Sequence, residues 1–93
     1  MQRFQFGSDS YWECLIRFKT GAENHQSGTC KMGPESDVES VVDSKLRVHG
    51  VPNLRVADAS IFPVLPNANP IASIVMVAEK ASDMIFETWV KSH

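Results

Sequence analysis

His25, Cys30 and Lys31 crowd into the stretch "NHQSGTCKMG", residues 24–33, with glycines at 28 and 33. An imidazole, a thiol and an amine in one glycine-rich segment offer proton-transfer, nucleophilic or metal-binding chemistry. The residue types alone do not choose among these, because a loop histidine that bonds backbone groups or faces water fits the same letters. Zinc is a poor fit. Its ligands must converge within about 2.0–2.3 Å, usually as tight pairs, whereas Cys14, His25, Cys30 and His49 are eleven, five and nineteen positions apart. Cys30 has no base beside it other than His25 and reads as a small buried residue rather than a nucleophile.

A second chemical feature stands at Asn69-Pro70. Asparagine is a favoured helix N-cap and proline a favoured first helical residue, so a helix is predicted to begin here. Its opening turns carry Ile71, Ile74, Val75, Met76 and Val77, apolar on nearly every face, which predicts burial at that end. A buried helix N-terminus presents unbonded N–H groups and the positive end of the dipole. An anion, or a group that becomes anionic during a reaction, would satisfy it.

The elements that must position these groups follow from periodicity. Ser8 or Asp9 caps a helix over "YWECLIRFKT", with Tyr11, Trp12, Leu15 and Ile16 at helical spacing and Gly21 as its stop. Residues 21–36 then lose all apolar periodicity and form a long loop, a length at which loops tend to carry function. Short β-like runs follow ("SVVD", "LRVHGV", "LRVADASIF"), broken by Gly50, Pro52 and Asn53, and predict a compact β-meander. The proline-rich "PVLPNANP" precedes the long final helix of about twenty residues. The class is therefore α+β: N-terminal helix, long loop, short β-meander, long C-terminal helix. His49 falls in the strand-turn run as a structural residue, Met32, Met76 and Met84 read as core, and Trp12 and Trp89 as packing residues on apolar helix faces.

Composition narrows the function. A chain of 93 residues buries only about 60–65% of its unfolded surface, too little for a sizeable enzyme core. Nine Lys+Arg against eleven Asp+Glu give a net charge of −2 with no basic block, which argues against nucleic acid. No apolar run approaches the ~20 residues of a membrane span, and "MQRFQFGSDS" does not read as a signal peptide. The two cysteines could pair or remain free, and the free, buried state is favoured.

The ordered set "HQSGTCKMGP", "VVDSKLRVHGVPNLRVADASIFP", "NANP" and "IVMVAEKASDMI" resembles the C-terminal region of the glucose–methanol–choline flavoprotein oxidoreductases over residues 4–88. The preceding "FGSDSYWECLIRFKTGAENH" looks most like its glucose dehydrogenase (FAD, quinone)-like branch, whose members are often secreted. The resemblance implies that residues 1–93 are part of a larger FAD-binding fold. The GxGxxG fingerprint with which such proteins open does not occur in this sequence, so the partner implied is an N-terminal FAD-binding portion.

By motif, His25 matches the histidine beside the flavin ring and Asn69 the second active-site position. Asp58 and Ala59 match a cofactor-contacting segment, and Asn69, Pro70 and Ile71 match the helix start at the flavin. The reaction implied is oxidation of an alcohol or sugar CH–OH donor, choline-like substrates included: His25 takes the hydroxyl proton while a hydride passes to flavin N5, with a quinone or oxygen as final acceptor. No metal is implied. The chain departs from many relatives by having Ile71 where they carry a second asparagine. The alternative is a non-catalytic fragment or binding module that keeps the motifs without flavin.

Overall fold

The computed structural model describes residues 3–91. Helix α1 spans Asp9–Lys19. The Ser8 hydroxyl accepts the Tyr11 N–H at 3.2 Å, and the helix ends where the Thr20 N–H bonds the Ile16 carbonyl. Asp9 in the first turn and Arg17 and Lys19 in the last complement the helix dipole, and Arg17 pairs with Glu13 one turn away at 2.8 Å.

The predicted meander is not a run of strands. Among the described residues the region holds isolated bridges only: Met32 with Val42 in parallel, and Val42 with Val48 and Arg47 with Arg55 in antiparallel. The cause is local. Asp43 Oδ1 accepts the N–H groups of Lys45 and Arg47, and Oδ2 accepts Arg47 Nε at 2.9 Å, which winds residues 43–47 into a tight turn. Leu46 is forced to φ +64°, a conformation that bulky residues rarely adopt. Gly50 and Asn53 turn left-handed in the same stretch, so no extended run survives for more than a few residues. The chain is helical with few β-pairings.

A 3₁₀ turn, Ala59–Ile61, precedes helix α2, Ile71–Phe86, which widens into a π-helical turn over Glu87–Lys91. The core is small: Val42, Leu46, Ile61 and Phe62 from the irregular scaffold meet Val77 and Ala81 of α2. Ile74 and Met84 extend that stripe at helical spacing. Leu46 is buried despite its backbone conformation, and the packing of its side chain holds it there. At the far end Arg55 ties the scaffold to the helix, donating to the Lys45 carbonyl at 2.6 Å and the Thr88 hydroxyl at 3.0 Å.

Burial departs from the sequence reading in several places. Much of the first turns of α2 is exposed, Ile71 to 66%, while Ile74 packs on the core with the Val77–Ala81 side. Met76, Trp12 and Trp89 are likewise exposed rather than packed, while Met32 and Met84 do lie against the core. Cys14 and Cys30 are free and half-buried instead of fully buried. The chain extends over 70 × 27 × 15 Å with a radius of gyration of 20.1 Å, against about 12 Å for a compact domain of this length. No helix among the described residues is long and apolar enough to cross a membrane.

Candidate active site

The segment after His25 is fastened by its backbone. Gly28, Cys30 and Met32 donate their N–H groups to the carbonyls of Ala59, Ser60 and Ile61 at 3.2, 2.8 and 2.9 Å. The chain turns at Thr29 and Cys30, and the Ala59 carbonyl is shared with the Phe62 N–H at 3.3 Å. On the opposite side the Lys31 carbonyl accepts the Val41 N–H at 2.8 Å, and Gly33 donates to Val42. Gly28 is required twice over. Its φ is +85°, and a Cβ there would lie 3.2 Å from the Phe62 carbonyl oxygen.

His25 sits three residues before this clasp, half-buried, and makes no side-chain hydrogen bond among the described residues. Asn24 just before it is left-handed, φ +59°, a conformation asparagine tolerates. Asp58 caps the 3₁₀ turn: its Oδ1 accepts the Ser60 hydroxyl and, at 2.8 Å, the Ser60 N–H. The hydroxyl bond first, and the amide bond after it, hold its carboxyl below the ordinary 3.8. Oδ2 is left without a partner among the described residues. Ala59 is half-buried against the core, with its carbonyl on Gly28.

Asn69 does not cap α2 with its side chain. The helix begins one residue after Pro70, whose φ of −78° and ψ of −9° are already helical and whose carbonyl accepts the Ile74 N–H at 2.9 Å. No side chain bonds the first-turn amides, so these donors stay open, and Asn69 is exposed with no hydrogen bond of its own. The backbone thus brings the His25 loop to the Asp58–Ala59 segment. No hydrogen bond joins His25 to Asn69 among the described residues.

Other titratable groups are tied up structurally. Lys31 Nζ lies 2.9 Å from Asp37 and 3.6 Å from Glu39. The hydrogen bond to Asp37 raises the Lys31 pKa and lowers that of Asp37, so the amine stays charged and is no base. His49 Nε2 bonds the Gly33 carbonyl at 3.0 Å, in keeping with its structural reading. That contact and the Asp43 turn escaped sequence reasoning, although an aspartate two residues before a bonded amide is a turn signal. A cavity of about 520 Å³ between Arg47, Arg55 and Trp89 includes none of the predicted site residues. Among the described residues no three of His, Cys, Asp and Glu gather to hold a metal ion.

The family model of GMC oxidoreductases, for the C-terminal domain, matches residues 2–78. The chain belongs to the GMC oxidoreductase family. It is 52% identical over 84 residues to glucose dehydrogenase [FAD, quinone] of Drosophila melanogaster, covering 90% of this chain and 13% of that protein. It is 49% identical over 78 residues to the mitochondrial choline dehydrogenase of Homo sapiens, covering 84% of this chain and 13% of that protein. With the oxygen-dependent choline dehydrogenase of Vibrio vulnificus it shares 51% over 61 residues, 66% of this chain and 11% of that protein. This GMC chain therefore spans about an eighth of the length of such relatives.

Proposed function

We propose that this chain is the C-terminal part of an FAD-dependent oxidoreductase acting on an alcohol or sugar CH–OH donor. The observation that carries the reading is the clasp of residues 28–32 on residues 59–61, which joins the His25 loop to the Asp58–Ala59 segment in a GMC family member. Two features suit FAD, one its negative charge and one its hydroxyls. The first-turn amides of α2 are uncapped, beside Pro70 and Ile71, and Asp58 Oδ2 is free to accept from a ribityl or ribose hydroxyl.

Bound against these residues, FAD would supply the hydride acceptor, flavin N5. His25 would take the substrate hydroxyl proton on a free ring nitrogen. Imidazole is the side chain most often used for such a proton transfer. Asn69 cannot accept a proton, and with its amide unspent on capping it would donate an N–H to the substrate oxygen and fix its direction. The open amides of α2 would stabilise negative charge developing near them. The electrons would leave to a quinone or oxygen, and the N-terminal FAD-binding portion would complete the site.

The test is a visible absorption spectrum of the protein as isolated from its source, followed by His25→Ala on alcohol turnover. Flavin bands, and a turnover loss of about 10²–10⁴-fold with flavin retained, are expected. A colourless protein would leave a non-catalytic fragment that keeps the motifs without flavin.

A further inference from the structure

We infer that Ser60 is a positioning residue, which holds the Asp58 carboxylate so that its Oδ2 meets a ribityl or ribose hydroxyl of FAD; the inference rests on the reading just given. Ser60 commits its three polar groups to the candidate site. Its N–H donates to Asp58 Oδ1 at 2.8 Å, its hydroxyl donates to the same oxygen, and its carbonyl accepts the Cys30 N–H at 2.8 Å. One residue thus ties the Asp58 carboxylate to the segment that follows His25. Two donors on one oxygen also settle which oxygen remains, whereas a single donor would let the carboxylate turn about χ2 and exchange the two.

Oδ2 meets no donor among the described residues, and Asp58 is exposed. An ionised carboxylate only accepts hydrogen bonds. The pyrophosphate of FAD would repel it, while the ribityl and ribose hydroxyls can donate to it. The turn itself does not need the Ser60 hydroxyl. The Ile61 N–H bonds the Asp58 carbonyl at 3.2 Å, the Phe62 N–H bonds the Ala59 carbonyl at 3.3 Å, and the Ser60 N–H alone suffices to cap the turn on Oδ1. The hydroxyl therefore acts on the direction of the carboxylate, and its loss leaves every backbone bond of the clasp in place.

The test uses a chimera that carries this chain in place of the matched region of the Drosophila glucose dehydrogenase [FAD, quinone], and follows FAD release by the return of flavin fluorescence. Ser60→Ala should quicken release about tenfold, the worth of one charge-assisted hydrogen bond, and Ser60→Thr, which keeps a hydroxyl, should restore most of the loss. Asp58→Asn keeps an oxygen for the Ser60 N–H and removes the anionic acceptor. In that background Ser60→Ala should change release by less than about twofold, since residues that act through one another do not add. Competition by ADP, which has the ribose and no ribityl chain, separates the two hydroxyls: weaker ADP binding in Ser60→Ala puts Oδ2 on the ribose, and unchanged ADP binding puts it on the ribityl chain. At saturating FAD, amide exchange at Cys30 and Ile61 should stay at the unmutated rate in Ser60→Ala. Quickened exchange there, or the same tenfold loss in both backgrounds, overturns the inference, because the hydroxyl would then hold the turn and not the carboxylate. FAD release unchanged by Ser60→Ala overturns it alone and leaves the flavin reading standing; an unmutated chimera that takes up no FAD overturns both.

Discussion

The Nε2 atom of His49 lies 3.0 Å from the carbonyl oxygen of Gly33, sixteen residues earlier in the chain. Because a carbonyl only accepts, this ring nitrogen donates the bond. The opposite edge of Gly33 is equally fixed, since its N–H bonds Val42 and a Cβ would meet Ser40 at 2.9 Å.

In a chimera that carries this chain in place of the matched region of the Drosophila glucose dehydrogenase [FAD, quinone], His49→Phe should destabilise the protein by about 1–2 kcal/mol, the net worth of a part-buried hydrogen bond and its stranded partner. His49→Gln, which carries a donor at similar reach, should recover at least half of that. Urea unfolding of the three proteins measures both changes, and equal midpoints for the Phe and Gln variants would show that the ring only fills space.

Gly28→Ala should cost about 1–2 kcal/mol from its left-handed backbone alone. The loss should be local at first. Amide hydrogen exchange at Cys30 and Met32 should quicken with that at Gly28's replacement, while Val77 and Ala81 in α2 keep their protection.

Acid should loosen the Asp43 turn. Burial opposes ionisation of Asp43, but the amides of Arg47 and Lys45 and the Arg47 side chain outweigh it and hold the pKa below 3.8. A carboxyl depressed in the folded state contributes stability that is present above its unfolded value of about 4 and is lost as pH falls through the lowered one. Asp43→Ala should remove about 2 kcal/mol at pH 7 and flatten the acid limb of a stability–pH curve. An unchanged limb would assign the acid sensitivity to other carboxylates.

The isolated chain should not melt sharply. Among the described residues six buried apolar side chains form the core, and large apolar groups on α1 and both ends of α2 face water. Calorimetry should show a broad, weak transition and a hydrophobic dye should bind; a single cooperative endotherm would contradict this.

Both helices were legible in the sequence because their signals are local. Of the two caps read for α1, Ser8 and Asp9, it is Ser8 that caps it, and the Asn69-Pro70 step places the start of α2 within one residue. The meander was misjudged because "VVDSKLRVHG" alternates like a strand, and the alternation outweighed the turn chemistry of Asp43 that throws Leu46 left-handed. Burial of the start of α2 and of Trp12 could not follow from helix periodicity alone, since an apolar face states a need for cover and not its source. Of the candidate site, His25, Asp58 and Asn69 were marked by motif. The fastening of residues 28–32 to 59–61 uses backbone atoms throughout, so only Gly28 left a trace of it in the sequence.

That fastening also sets an order of assembly. Joining residue 28 to residue 59 closes a loop of about thirty residues, at an entropic cost near 3 kcal/mol. The cost is smallest once the intervening stretch has already condensed through its short-range bonds, from Asp43 to Lys45 and Arg47 and from Val48 to Leu54. The loop that presents His25 is thus among the last parts of the chain to take shape. A ribosome must have released residues 59–61 before that histidine has anywhere to be held.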